Sequence, residues 1–193
     1  YRNLLVLRGK EYSNKVKCFP PHDHIGMDFR KVLTMPESAE GEKTSKLLNK
    51  MILDSRDILT SSAVNKGKKK PANMLCFWGI GRAPKMQSFQ DKYGVKGGVI
   101  TAVDLIRGIG TYAGMKIINV PGATGYFDTN YDNKGTYALK ALKDLDLIFV
   151  HVEAPDEAGH EGNLGNKIKS IEMIDKKIVG KIMDSMDDDY IIS

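Results

Sequence analysis

The sequence predicts an α/β chain in two parts, an α+β first part and then part of a parallel-sheet domain. From residue 97 onward, strand-like and helix-like segments alternate, which is the signature of a parallel sheet with right-handed crossovers. Residues 146–152 (Asp-Leu-Ile-Phe-Val-His-Val) are almost continuously apolar in their middle, as in a strand covered on both faces. Before about residue 85 the pattern is different: one long amphipathic helix among short apolar runs. These observations divide the chain into residues 1–85, a linker at 86–96, and residues 97–193.

The elements follow in order. Leu4–Leu7 is a short apolar run expected to be a buried strand, and Val16–Phe19 reads as another. Pro20 and Pro21 remove two backbone donors, so the stretch through His24 is expected to be a rigid loop. Leu47, Leu48, Met51, Ile52, Ser55, Ile58 and Leu59 follow a 3.6-residue period and give one apolar stripe, which predicts a helix from about Ala39 or Glu42 to Thr60. Asn73–Trp78 is expected to be a strand ending in a Gly- and Pro-bearing loop, Gly79–Pro84. In the second part, strands are expected at Gly98–Thr101, Lys116–Val120, Asp146–Val152 and from Tyr190. Helices are expected at Val103–Tyr112, Lys134–Lys143 and Asn163–Met186, the last with Ile168, Ile171, Ile174, Ile178 and Ile182 on one face.

Composition narrows the function classes. The 193 residues are 41% hydrophobic and 27% charged, with a formal charge of +5, ordinary for a globular domain. No run is long enough to span a bilayer, and the opening residues, which lead straight into an apolar run, are not expected to be a secretory signal. The first residue is Tyr, so a piece of a longer chain is expected. The dense basic run Lys66–Lys70 contains Gly67 and lacks interleaved aromatics, which argues against nucleic acid and fits an anionic small substrate. Cys18 and Cys76 form neither a disulfide framework nor a zinc motif. They are expected to be buried thiols in a reducing compartment.

Ligands of parallel α/β sheets sit beyond the carboxyl ends of the strands. Just past the 146–152 strand, residues 151–161 hold two of the four histidines and four acids. Asp156 and His160 are four apart, which puts both on one side of a helical turn. Carboxylate and imidazole suit zinc, manganese or iron, but spacing alone leaves an exposed acidic loop equally open. The glycine-rich stretch Pro121–Thr129 follows the preceding strand and lacks the lysine and spacing of a P-loop. Arg107 lies on the helix after the 98–101 strand, while Arg8 and Arg82 are expected at strand ends. A guanidinium fork suits phosphate or carboxylate oxygens.

Val120–Tyr126 (Val-Pro-Gly-Ala-Thr-Gly-Tyr), Asp128–Tyr131 and His151–His160 closely resemble the archaeal-type cofactor-independent phosphoglycerate mutases of the alkaline phosphatase superfamily. Pro20–Asp23, Pro71–Asn73, Trp78–Gly79 and Gly98–Gly110 are similar to that family in the same order, so the likeness runs through nearly the whole chain. The resemblance implies that residues 1–85 are the later part of an inserted substrate-closing domain. Residues 97–193 would then be part of a metal-binding, alkaline-phosphatase-like core. It implies interconversion of 3-phosphoglycerate and 2-phosphoglycerate through a phosphoserine, in the cytoplasm, with two divalent ions in the complete enzyme. Manganese is the first expectation, with magnesium, zinc and cobalt as alternatives.

By that resemblance Asp156 and His160 bind one metal, and Arg107 holds the phosphoryl group. Arg82 reaches substrate from the inserted domain, and His22 and Asp23 belong to a substrate-side motif. The partner is a small phosphorylated carboxylate, with neither nucleic acid nor membrane expected. The nucleophilic serine is expected outside this chain, so the piece alone is expected to be inactive. Two alternatives stand beside this reading: another metal-dependent phosphatase or phosphotransferase of the superfamily, and a non-catalytic binding module.

Overall fold

The computed structural model describes residues 3–186 and 190–192. The chain divides into two compact units, Tyr1–Ala83 and Pro84–Ser193.

The first unit is built on helix α1, Glu42–Ser61. A two-stranded antiparallel ladder lies against it, β1 (Val16–Lys17) with β2 (Met35–Pro36), pairing Val16 with Pro36. The buried stripe of α1 carries Leu48 and Ile52, but also Thr44, Ser45 and Ser55. Thr34 supplies partners for this polar seam. Its N–H donates to Asn49 Oδ1 at 2.9 Å, and its carbonyl accepts from Ser45 Oγ and Asn49 Nδ2, each at 2.9 Å. Buried polar groups are tolerated only when paired in this way.

Several expectations for this unit fail. Leu4–Leu7 is not a strand, and Leu4 is 94% exposed. Asn73–Trp78 is extended chain without a ladder, so neither Arg8 nor Arg82 ends a strand. Apolar runs favour strands only where a neighbouring strand takes up their N–H and C=O groups, and none does so among the described residues. Cys76 is exposed and Cys18 half-buried, so the two thiols are not strand-interior residues. Burial, and secondarily Cys76, pushes the Cys18 thiol pKa up. The stretch after Pro20 forms a single 3₁₀ turn, Pro21–His24; proline is accepted at a helix start because its missing N–H has no intrahelical partner there.

The second unit carries a three-stranded parallel sheet: β3 (Gly97–Ile100) lies between β4 (Lys116–Ile118) and β5 (Leu147–Val150). Val99 pairs with Ile117 on one side and Phe149 on the other. Helix α2 (Phe89–Tyr93), capped by Ser88, lies within the stretch 86–96 and joins this unit through Phe89 N–H to Ala113 O at 2.7 Å. Helix α3 (Asp104–Tyr112) links β3 to β4, and α4 (Tyr131–Ala141) links β4 to β5. After β5 come α5 (Ala154–His160) and α6 (Leu164–Ile174), a π-helical turn (Asp175–Val179), and α7 (Gly180–Ser185). Tyr131, Ala154 and Ile178 form the core, with Phe127, Val150 and Ile182 packed on it.

Three expectations change here. Strand β5 is covered on one face only, because Leu147 and Phe149 are 38% and 49% exposed. They line an apolar cavity of about 770 Å³ together with Met86, Tyr93, Ile109 and Met115. The predicted isoleucine face of the last helix is buried at Ile178 but open at Ile168 and Ile171. Residues 190–192 are not in a strand.

The π turn lies against α4 at Gly135, where an added Cβ would stand 2.7 Å from the Lys177 carbonyl oxygen. Gly135→Ala is therefore expected to destabilise the second unit by about 1–3 kcal/mol through overpacking against backbone. Gly108→Ala, on α3 with open space around its would-be Cβ, is expected to stabilise it by about 0.5–1 kcal/mol through helix propensity. Urea unfolding of both variants measures the contrast.

Candidate metal and phosphate site

Because the three strands are parallel, their carboxyl ends lie on one edge of the sheet. Thr101 follows β3, Asn119 follows β4 and His151 follows β5. The loop after β4 turns sharply at Gly122, whose φ of 75° suits glycine. The turn is held by Asn130 N–H to Gly122 O at 2.9 Å and Thr124 N–H to Thr129 Oγ1 at 3.0 Å. Asn130 then caps α4 by accepting from Asn133 N–H.

Helix α5 fixes its inner face with Ala154 and Ala158, both fully buried, and turns Asp156 and His160 outward. Their side chains are 68% and 76% exposed, and Asp156 Oδ2 stands 3.2 Å from His160 Nε2. A carboxylate oxygen and an imidazole nitrogen that close together can both face one cation at about 2.0–2.2 Å, so the pair fits a divalent metal. Among the described residues no third His, Cys, Asp or Glu joins them in a cluster. The pair thus supplies two donors of a larger coordination sphere. The 770 Å³ apolar cavity includes neither residue in its lining.

Arg107 reaches the same edge of the sheet from α3, where its Nη1 donates to Asn119 Oδ1 at 2.9 Å. Most of its donor fork stays available. In the first unit, Arg82 Nη2 donates to Tyr12 O at 3.3 Å. His22 Nε2 lies 3.7 Å from Asp23 Oδ1, and the His22 ring packs edge-on against Trp78 with centroids 5.4 Å apart. His22, Asp23 and Arg82 belong to one unit, and Arg107, Asp156 and His160 to the other.

Two features were not singled out from the sequence. Tyr126, in the glycine-rich loop, donates its hydroxyl to Glu161 Oε1 just after α5, so the two motif loops are joined. Lys134 on α4 is only 1% exposed, and its Nζ donates to the His151 carbonyl at 2.6 Å. Burial pulls the Lys134 pKa down, and Glu153 opposes the shift. A sequence signal for Lys134 did exist. Tyr131, Lys134 and Ala138 stand at i, i+3 and i+7, so a lysine occupies the buried face of its own helix.

Residues 13–193 match the Metalloenzyme superfamily. The chain belongs to that superfamily. Members use divalent metal, in keeping with the donor chemistry of Asp156 and His160. The chain is 44% identical over 192 residues to a 2,3-bisphosphoglycerate-independent phosphoglycerate mutase of Methanothermobacter thermautotrophicus, covering 97% of this chain and 46% of that protein. It is 48% identical over 185 residues to another of the same description from Methanosarcina acetivorans, covering 95% and 45%. The chain thus spans about half the length of the curated relatives it matches. A solved cofactor-independent phosphoglycerate mutase from Thermoplasma acidophilum shares the fold, with a TM-score of 0.51 at 23% identity over 86% of this chain and 44% of that one. The motif likeness to archaeal-type phosphoglycerate mutases is therefore borne out, and the α/β class with its parallel sheet is that of the alkaline phosphatase-like fold.

The Glu161 carboxylate beside the Tyr126 hydroxyl holds the phenol pKa above its ordinary value, first through the hydrogen bond. A raised folded-state pKa means the contribution to stability is full below about 10 and is lost as pH rises through the folded value. Glu161→Gln is expected to move the Tyr126 titration back toward about 10, as read by ultraviolet difference titration against Tyr126→Phe.

Proposed function

We propose that this chain is part of a metal-dependent phosphoglycerate mutase that interconverts 3-phosphoglycerate and 2-phosphoglycerate without a bisphosphoglycerate primer. The convergence of Asp156 and His160 at 3.2 Å, in a chain this similar to such mutases, carries the reading. Residues 1–85 are then the later part of an inserted substrate-closing domain, and 97–193 part of the metal-binding core. Asp156 and His160 hold one of two metals, with manganese the first choice. A bound divalent ion supplies Lewis acidity to a phosphoryl or hydroxyl oxygen. The Arg107 guanidinium, oriented by Asn119, offers its remaining N–H groups to the phosphoryl oxygens. Arg82, His22 and Asp23 receive the rest of the phosphorylated carboxylate substrate. A reducing cytoplasm fits the two free thiols.

The test uses the complete enzyme. Conversion of 3-phosphoglycerate is expected without added 2,3-bisphosphoglycerate, to vanish on chelation and to return with Mn²⁺. Asp156→Asn and His160→Gln are expected to weaken metal binding by more than the roughly 10–100-fold typical of residues behind the ligands. Turnover indifferent to chelation would sink the proposal. Faster hydrolysis of a generic phosphate ester than isomerisation would move the assignment to a phosphatase.

A further inference from the structure

We propose that His151, clamped by Lys134 and Thr101, is the positioning residue that fixes how α5 presents Asp156 and His160. The inference rests on the reading of that pair as metal ligands.

Every polar group of His151 is engaged. Its backbone N–H donates to Ile100 O at 2.8 Å, which extends the β3–β5 ladder by one bond. Its carbonyl accepts from the buried Lys134 Nζ at 2.6 Å. On the ring, Nδ1 lies 3.3 Å from Thr101 Oγ1, and Nε2 lies 3.2 Å from Glu153 Oε2. The Thr101 hydroxyl already accepts from Val103 N–H at 3.0 Å, so its own hydrogen is free to point at Nδ1. In that tautomer Nε2–H donates to the Glu153 carboxylate. One residue thereby ties four elements: its backbone joins the ends of β3 and β5 and the helix α4, and its ring joins Thr101 to the start of α5.

The lever is short. Glu153 is the N-cap of α5, and its carbonyl accepts from both Asp156 and Glu157 N–H, at 2.9 and 3.1 Å. Turning the backbone at 151–153 therefore turns the whole seven-residue helix and both outward donors with it. A lysine is an unusual choice for a buried clamp, because desolvating its charge is costly. An apolar residue would fill the same space, but it could not hold a carbonyl.

Mn²⁺ binding to the complete enzyme is measured by the spin resonance of free Mn²⁺, together with amide hydrogen exchange over residues 154–160. The variants are Lys134→Met, Thr101→Val, Lys140→Met and Asp156→Asn. Lys134→Met and Thr101→Val are expected to bind Mn²⁺ about 10–100-fold more weakly. Both should exchange faster at 154–160 with and without metal, and recover kcat at saturating Mn²⁺. Lys140→Met, exposed on the same helix, should match wild type. If Lys134→Met does not fold, Thr101→Val, which exchanges the hydroxyl for a methyl group of similar size, decides. Wild-type affinity and exchange in the folded variants overturn the positioning role while leaving the metal site standing. Undiminished binding in Asp156→Asn overturns the metal reading itself, and the proposal with it.

Discussion

The burial of β3 organises the second unit. All four of its residues are buried, and it is laddered on both sides. Its N–H and C=O groups are therefore satisfied without water, as a buried backbone requires. Gly98 makes this packing possible. A Cβ there would stand 2.8 Å from Leu145 Cδ1 and 2.9 Å from Ile148 Cδ1, so only a residue without a side chain lets those neighbours close over the strand. Because both neighbouring strands run parallel to β3, their carboxyl ends emerge on one edge. Thr101, Asn119 and His151 are placed there by topology before any of their own contacts form.

The sequence was most informative where one face of an element decides its burial. The stripe through Leu48 and Ile52 located α1 to within a residue or two, and the alternation from residue 97 onward anticipated the sheet. It was least informative where an element depends on a distant partner. Leu4–Leu7 and Asn73–Trp78 have the composition of strands, but composition does not supply the neighbour that makes a ladder. The π turn at Asp175–Val179 was equally invisible. It interrupts the register of a long helix where that helix meets Gly135, and strict 3.6-residue counting passes over it.

The candidate site was legible in its outer parts. A four-residue spacing was enough to bring Asp156 and His160 together, because helix geometry alone sets that distance. The buried contacts around the start of α5 were harder to read. Lys134 looks like any surface lysine until its helical phase is counted, and His151 contacts Thr101 across 50 residues of sequence. Charge on a buried helix face is rare, so the phase of Lys134 was the more informative clue.

The open side of β5 has a calorimetric consequence. Leu147, Phe149, Met86, Tyr93 and Ile109, in the lining of the 770 Å³ hollow, keep hydrocarbon in contact with water in the folded unit. Surface already wet before melting contributes nothing to the heat-capacity rise on melting. The thermal transition of this unit should therefore show a shallower heat-capacity step than its length suggests. A ligand or partner that covered that face would register its arrival as a drop in heat capacity.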